Sequence, residues 1–293
     1  MEQMLQKRYI LDPIATKVSI GIARVLFRSL HQWLSMSDIS KELGTSRSNV
    51  SRRLPQLVEI GLVRPSKKGT GPRYRIDTSS PIARPMFEMF ETERYSTVEP
   101  SIRNALTGLV HDEDGTEVRS LSLFGSHTRD TASLRSDLDL CLVTEDEATI
   151  KTLKKRTRDL LPDIRVDLHC YSPAQFMKIS DFVVLETLLF GITVLGAGNI
   201  FHAITAIDSI GKDYLVWRLA RAKENIARSR RTEGEASRYF GSVARTTLAE
   251  IDSVLRRGST VSKGSVSEDI DIMVYAEGIE EELAKAGDRI WLN

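Results

Sequence analysis

The sequence contains little cysteine and no long uninterrupted hydrophobic run. Its two cysteines, Cys141 and Cys170, lie in apolar stretches typical of strands, which favours reduced thiols in a cytosolic protein over a disulfide. The membrane candidate, residues 182–198, is short for a span and contains Glu186 and three glycines. A buried helix followed by a strand is expected there instead. The N-terminal segment MEQMLQKRYILDP has no continuous apolar run, so no signal peptide is expected.

The chain also has almost no net charge. Lys and Arg number 41 against 40 Asp and Glu, so any surface that binds nucleic acid must be local. A length of 293 residues with 41% hydrophobic residues suits two or three domains. The pattern predicts an α+β chain with four segments. These are a helical domain ending in a basic hairpin (1–80), a linker helix (81–96), a domain of alternating strands and helices (97–200) and a helical C-terminal region (201–293).

Residues 37–63 have the pattern of two short helices separated by a glycine. Ser37 is placed to cap the first helix, Gly44 to end it in the left-handed conformation, and Ser46 to cap the second. The second helix has an apolar stripe at spacings of three and four, formed by Val50, Leu54, Leu57 and Val58. Two strands around a Gly-containing turn, RPSKKGTGPRYRID, then predict a wing. The segment 15–77 resembles the winged helix-turn-helix of archaeal and bacterial regulators.

The polar residues of this segment favour DNA binding. Arginine and asparagine read base edges, and lysine and arginine on the wing can meet phosphates. The second helix presents Ser46, Arg47, Asn49, Arg52 and Arg53, and the wing presents Lys67, Lys68, Arg73 and Arg75. A homodimer would suit two half-sites, and a winged helix used for dimerisation or protein contact is the alternative. Pro55 predicts a kinked or shortened second helix.

Two aspartates alternate with leucine ten residues after a Gly-Ser pair, in FGSHTRDTASLRSDLDLCLV. Residues 118–124 and 137–143 both have the alternation of a strand. Asp137 and Asp139 should therefore leave one face of the second strand, while Leu138 and Leu140 pack in the core. Two carboxylates so close repel each other unless a cation is present, and hard oxygen ligands suit Mg²⁺.

A third aspartate follows in the apolar strand IRVDLHCY. If this strand lies beside the previous one, Asp167 joins the same face, and three carboxylates can hold two metal ions. Gly125 would let the backbone approach a phosphate, and Ser126 can bind its oxygens. His127 is either a phosphate contact or a solvated loop residue. His169 and Cys141 share the face of the aspartates, where strand packing is the expected role and the edge of a pocket is the alternative.

This constellation resembles the nucleotidyltransferase superfamily related to DNA polymerase beta, and more narrowly the minimal nucleotidyltransferases, over residues 97–200. The resemblance implies transfer of a nucleoside monophosphate from a nucleoside triphosphate, such as ATP, to a hydroxyl with release of pyrophosphate. It implies two Mg²⁺ ions, with Mn²⁺ as an alternative. In the minimal nucleotidyltransferases a glycine often follows a few residues after the Gly-Ser pair, and this chain has Asp130 at that place. The resemblance assigns triphosphate binding to Gly125, Ser126 and Arg129, and catalysis with metal binding to Asp137, Asp139 and Asp167.

Three functions stay open at this point. The chain is a nucleotidyltransferase with a DNA-binding module, a transcriptional regulator with a degenerate domain that senses nucleotide, or an antitoxin that nucleotidylates a partner toxin. The acceptor is a protein, an RNA end or a small molecule. Helices are predicted over 212–231, 235–257 and 277–289, the first with a basic face that is solvated or binds RNA or triphosphate. Asp269 and Asp271, in a second similar motif, are expected to be surface residues.

Overall fold

The chain has an α+β fold, as predicted. The structure is a computed structural model that describes residues 12–30, 33–66, 71–110, 117–128, 136–179, 181–207 and 212–256. The chain divides into two compact units, Met1–Phe90 and Glu91–Asn293. Among the helices of the described ranges, none combines the length and the apolar character needed to cross a membrane.

The first unit is a winged helix-turn-helix. A three-stranded antiparallel sheet of order β1-β3-β2 flanks its helices, and Ile22, Leu26, Val50 and Leu54 are buried in its core. The elements are α1 (Lys17–Arg28), β1 (Leu34–Ser35), α2 (Met36–Leu43), α3 (Arg47–Glu59), β2 (Val63–Ser66), β3 (Arg73–Ile76) and α4 (Ala83–Ser96), which continues into the second unit.

Three details of the first unit differ from the sequence predictions. The cap of α2 is Ser35 instead of Ser37, because Asp38 reaches back to the backbone of Ser35 and completes a capping box. Helix α3 continues through Pro55 to Glu59, so the expected shortening does not occur. Strand β1 was not predicted, since two residues are too few for a periodic signal. Gly44, with φ of 61°, and Ser46 cap their helices as expected.

The second unit is built on a four-stranded sheet of order β6-β5-β4-β7. Strands β4 and β5 are antiparallel, β5 and β6 are parallel, and β7 pairs antiparallel with β4. The elements are α5 (Pro100–Val110), β4 (Ser120–Phe124), β5 (Leu138–Val143), α6 (Glu147–Leu160), β6 (Val166–Tyr171), α7 (Pro173–Met177), α8 (Phe182–Phe190), β7 (Ile192–Leu195), α9 (Ala197–Thr205), α10 (Lys212–Arg231) and α11 (Gly234–Arg256).

One face of this sheet is the hydrophobic core. Leu138, Leu140 and Leu142 of β5 are fully buried there together with Leu106 of α5 and Leu153 of α6. The outer edge of β7 is protected because the buried Glu91 carboxylate accepts a hydrogen bond from the Thr193 amide at 2.8 Å. At the opposite edge, no described strand pairs with the outer side of β6.

Helix α8 and strand β7 occupy the stretch that was considered as a membrane candidate, in agreement with the buried helix and strand predicted there. Glu186 is buried, and it accepts a hydrogen bond from the Tyr214 hydroxyl at 2.8 Å and an ion-paired hydrogen bond from Arg218. The Arg218 guanidinium also lies 5.0 Å from the centre of the Phe190 ring. Glu186 therefore links α8 to α10, which packs against α11 through a second apolar cluster.

Candidate functional site

Two aspartates meet across neighbouring strands of the second unit. Strand β6 lies beside β5, as the hypothesis required, and Asp139 pairs in register with Asp167. Asp139 is half-buried and Asp167 is exposed, with 55% of its side-chain surface accessible. Leu138 and Leu140, the residues before and after Asp139, have side chains that are fully buried on the opposite face. The strand period thus presents two carboxylates on the face that is not the core.

His169 joins this pair. One ligand atom each from Asp139, Asp167 and His169 lies within 4.8 Å of the others, and the His169 Nε2 atom is 3.5 Å from the Asp167 Oδ2 atom. The Phe124 ring packs against the imidazole with 5.5 Å between ring centres. The sequence placed His169 on this face, but its membership in the cluster depends on a register between strands that periodicity alone does not give.

Asp137 occupies a different environment from Asp139. It lies one residue before β5, and its Oδ2 atom is 3.8 Å from the Arg165 Nε atom, with 43% of the Asp137 side chain and 81% of the Arg165 side chain exposed. It is not among the three residues whose ligand atoms converge. The sequence predicted both aspartates on one face, and the structure adds a cationic neighbour beside Asp137, where the chain enters β6.

The Gly-Ser turn lies directly against Asp139. Gly125 follows β4 with φ of 78°, and an added Cβ atom would lie 2.0 Å from the Asp139 Oδ2 atom. Only glycine therefore fits at this position. The turn is a short 3-10 helix over Gly125–Thr128, closed by a hydrogen bond from the Thr128 hydroxyl to the Gly125 carbonyl at 2.9 Å. The His127 Nε2 atom lies 3.5 Å from the Ser136 carbonyl and links the turn to the chain before β5.

Two further residues follow the aspartates on the same face, Cys141 on β5 and Tyr171 on β6. Burial raises the pKa of the Cys141 thiol to about 12, although a hydrogen bond with Thr187 of α8 opposes the shift. Burial also raises the pKa of Tyr171, and its hydrogen bond to Asp181 adds to the effect. Further along these strands from the aspartates, Cys141 is therefore buried and Tyr171 is half-buried.

The cluster offers donors that suit a divalent cation. Two carboxylates and one imidazole converge, and carboxylate oxygens favour Mg²⁺ and Mn²⁺ while imidazole also suits transition metals. The donor set fits a metal ion of the kind that the nucleotidyltransferase resemblance implies, without selecting one ion. Arg129 and Asp130 lie outside the residues that the structure describes, as do Asp269 and Asp271. Ser126 is described, and it lies in the turn next to Gly125.

The predicted DNA-reading residues lie on and before α3. Arg47 and Arg52 are exposed, and Arg53 donates to the Gln56 side chain at 3.3 Å. The Ser46 hydroxyl caps the helix by accepting from the Asn49 amide. The Asn49 side-chain amide donates to the Thr45 hydroxyl at 3.1 Å, which ties this side chain to the residue before the helix cap.

The wing positions further arginines around one indole ring. Arg73 donates to the Trp33 carbonyl at 3.2 Å, and the Arg64 and Arg75 guanidinium groups lie 5.5 and 4.7 Å from the centre of the Trp33 ring. Arg64 and Arg75 are direct cross-strand partners in β2 and β3. Lys67 and Lys68 fall outside the described part of the chain.

Comparisons with known proteins find a family match for one segment of each unit. Residues 26–66 match the family model described as an IclR helix-turn-helix domain, and residues 103–189 match the one described as a nucleotidyltransferase domain. No curated protein and no solved structure gives a significant match to the chain. The chain thus joins an N-terminal helix-turn-helix domain to a nucleotidyltransferase domain.

The matched segments coincide with the structural features described above. The first runs from the end of α1 to the end of β2 and includes α2, Gly44 and α3. The second runs from α5 to α8 and includes Gly125, Asp139 and Asp167. Helices α9, α10 and α11 follow after the matched nucleotidyltransferase segment.

Proposed function

We propose that this protein is a divalent-metal-dependent nucleotidyltransferase that transfers a nucleoside monophosphate from a nucleoside triphosphate to an acceptor hydroxyl. The observation that carries the proposal is the register pair Asp139 and Asp167, with the Gly125 turn in contact with Asp139. A carboxylate pair beside a glycine turn suits a metal-bound phosphate chain. The helix-turn-helix domain supplies a DNA-binding module.

In the proposed reaction, the acceptor oxygen bonds to the α-phosphorus and the bond from that phosphorus to the bridging oxygen breaks. Pyrophosphate leaves with the electron pair, and the hydroxyl proton passes to the Asp167 carboxylate and then to solvent. The residues proposed to hold the metal are Asp139 and Asp167, with His169 beside them and Asp137 at the entrance. A divalent cation held by these residues would lower the pKa of the attacking hydroxyl and would neutralise phosphate charge.

The Gly125 turn is proposed to bind the triphosphate. Its positive φ brings backbone close to Asp139, so that phosphate oxygens held by the Ser126 hydroxyl and nearby amides lie beside the metal ligands. Arg129, three residues after Ser126, is proposed to add positive charge to the same turn. Mg²⁺ is the proposed ion and Mn²⁺ the alternative.

A labelling experiment tests the proposal. Each α-³²P-labelled nucleoside triphosphate is incubated with the full chain, Mg²⁺ or Mn²⁺, and cell extract as a source of acceptors. We expect the wild type to transfer label and Asp139→Asn and Asp167→Asn to abolish transfer while melting like the wild type. Thr232→Ala, a change in the two-residue connection between α10 and α11, serves as the control and should keep full activity.

The position of Asp137 favours a second candidate function. Its carboxylate lies beside Arg165 rather than in the three-residue cluster, so two of the three predicted carboxylates converge instead of three. The chain would then be a transcriptional regulator that senses nucleotide. Absence of labelling by wild type, together with DNA binding that responds to nucleotide and loses this response in Asp139→Asn, would support the regulator and reject the transferase.

The DNA-binding module is proposed to use α3 and the wing. Arg47 and Arg52 project from the exposed side of α3 and Arg73 is fixed beside the Trp33 carbonyl. Arginine at these positions suits base edges and phosphates. Selection of bound fragments from the chain's own genome would identify the site, and a palindrome of two half-sites would indicate a homodimer.

A further inference from the structure

The imidazole of His169 faces the carboxylate of Asp167 within the candidate site. The His169 Nε2 atom is 3.5 Å from the Asp167 Oδ2 atom, which is longer than an ordinary N–H···O hydrogen bond of roughly 2.7–3.2 Å. Two atoms that each bind one ion at about 2.1 Å lie roughly 3–4 Å from each other. The observed separation therefore suits two ligands of one ion better than a hydrogen-bonded pair.

The strand register and a neighbouring ring hold the imidazole in this place. Asp167 and His169 are two residues apart on β6, so both side chains leave the same face of the sheet. Phe124, which pairs with Asp139 across β4 and β5, packs its ring against the imidazole with 5.5 Å between ring centres. Only 31% of the His169 side chain is exposed. A side chain held in this way loses little conformational freedom when it binds an ion.

Asp137, the remaining carboxylate that the sequence predicted as a ligand, does not take part in this convergence. Its Oδ2 atom is 3.8 Å from the Arg165 Nε atom, and the three ligand atoms that converge come from Asp139, Asp167 and His169. Among the residues that the structure describes, the imidazole thus takes the third place around the ion.

An imidazole in place of a carboxylate changes which ions a site prefers. Mg²⁺ is a hard ion that favours oxygen ligands and keeps several of its waters. Imidazole nitrogen is a better ligand for first-row transition ions, whose affinity for sites of nitrogen and oxygen rises from Mn²⁺ towards Cu²⁺. Two carboxylates with one imidazole should therefore bind Mn²⁺ more tightly than they bind Mg²⁺.

We propose that the Nε2 atom of His169 is a direct ligand of the metal ion, together with one carboxylate oxygen each from Asp139 and Asp167. This nitrogen makes the site selective for transition-metal ions. The inference rests on the proposed function and deepens it, because Mn²⁺ should be the more tightly bound of the two ions named there. A site built from three carboxylates would lack this preference.

Spectroscopy of bound Mn²⁺ tests the nitrogen ligand directly and needs no catalysis. Electron spin echo envelope modulation detects the coupling of a coordinated imidazole ¹⁴N nucleus to the Mn²⁺ electron spin. Titration of the free Mn²⁺ signal gives the Kd for Mn²⁺, and competition gives the Kd for Mg²⁺. The full chain is measured as wild type, His169→Gln and His169→Asp, with and without a non-hydrolysable nucleoside triphosphate analogue. His202→Gln, at an exposed histidine of α9, is the matched control.

We expect ¹⁴N coupling in the wild type and in His202→Gln, and none in either variant of His169. His169→Gln should raise the Kd for Mn²⁺ about tenfold or more and the Kd for Mg²⁺ less than about threefold, because Mg²⁺ depends on the carboxylates. His169→Asp supplies a third carboxylate, so it should keep Mg²⁺ binding and lower the preference for Mn²⁺ about tenfold. Melting temperatures without metal should match the wild type.

Three results would overturn the inference. These are absence of ¹⁴N coupling in the wild type both with and without the nucleotide analogue, coupling that persists in His169→Gln, and an equal weakening of Mn²⁺ and Mg²⁺ in His169→Gln. The last would show that His169 acts through Asp167 instead of on the ion. Failure of the proposed function is a separate result. Coupling without transfer of label would keep the ligand and reject the transferase, whereas transfer without coupling would keep the transferase and reject the ligand.

Discussion

The contact between Gly125 and Asp139 gives the sharpest prediction about the site. In Gly125→Ala the new Cβ atom would lie 2.0 Å from the Asp139 Oδ2 atom, where at least 3.0 Å is needed, so the carboxylate must move by about 1 Å. A displacement of this size in a reacting constellation lowers turnover about 100-fold. We therefore expect Gly125→Ala to retain about 1% of the transfer activity.

Gly234→Ala is the matched control for this experiment. Gly234 also has a positive φ, of 64°, but an added Cβ atom meets nothing within 4 Å. Both variants place alanine in the left-handed region, which costs about 1 kcal/mol and lowers the melting temperature by roughly 2–4 °C. Gly234→Ala should lose this stability and keep its activity.

The assay is transfer of labelled nucleoside monophosphate at saturating nucleotide and metal, with melting followed by circular dichroism. Equal activity of the two alanine variants would refute the reasoning, because the backbone strain is common to both and only the clash with Asp139 distinguishes them. A loss of activity in both would assign the effect to folding instead of to the carboxylate.

Three further predictions concern stability and DNA binding. Glu186→Gln removes the carboxylate that pairs with the buried Arg218, so we expect the free energy of unfolding in urea to fall by about 3–5 kcal/mol. The control Glu88→Gln, at an exposed ion pair, should lower it by at most about 1 kcal/mol. Burial raises the pKa of the Cys141 thiol in the folded protein to about 12, so the thiol loses its proton in the unfolded state first as the pH rises. The free energy of unfolding should therefore fall between pH 9 and pH 12 with a slope of up to about 1.4 kcal/mol per pH unit. Cys141→Ala should flatten this fall, and an unchanged slope in the variant would contradict the prediction. Arg47→Ala should weaken DNA binding and reduce the salt slope by about 0.9, whereas an unaltered slope would remove α3 from the interface.

Periodicity predicted most elements of the fold. The helix expected over 212–231 is α10, and the next, expected over 235–257, is α11 at Gly234–Arg256. The strand carrying Asp139 and the strand carrying Asp167 were both identified from alternation. Strand β1 was missed because its pairing with β3 depends on residues almost forty positions away. The cap of α2 was misplaced by two residues, although the spacing of Ser35 and Asp38 is itself a capping signal.

The candidate site was predictable in its chemistry and less so in its geometry. Strand period placed Asp139 and His169 on the correct kind of face, because alternation is local. The 3.8 Å approach of Arg165 to Asp137 was not predictable, since it depends on how the chain enters β6. Likewise the pocket at the edge of the sheet is formed by α6 and the residues before β6 together, so no single stretch of sequence indicates it.

The different depths of Asp139 and Asp167 in the sheet bear on how the proposed transferase can be re-engineered. Asp139 sits on an interior strand whose leucines are locked into the core, so substitutions around it disturb folding. Asp167 is exposed on the edge strand β6, so substitutions around it disturb the core less. Selection for altered specificity should therefore accept changes around Asp167 before it accepts changes around Asp139.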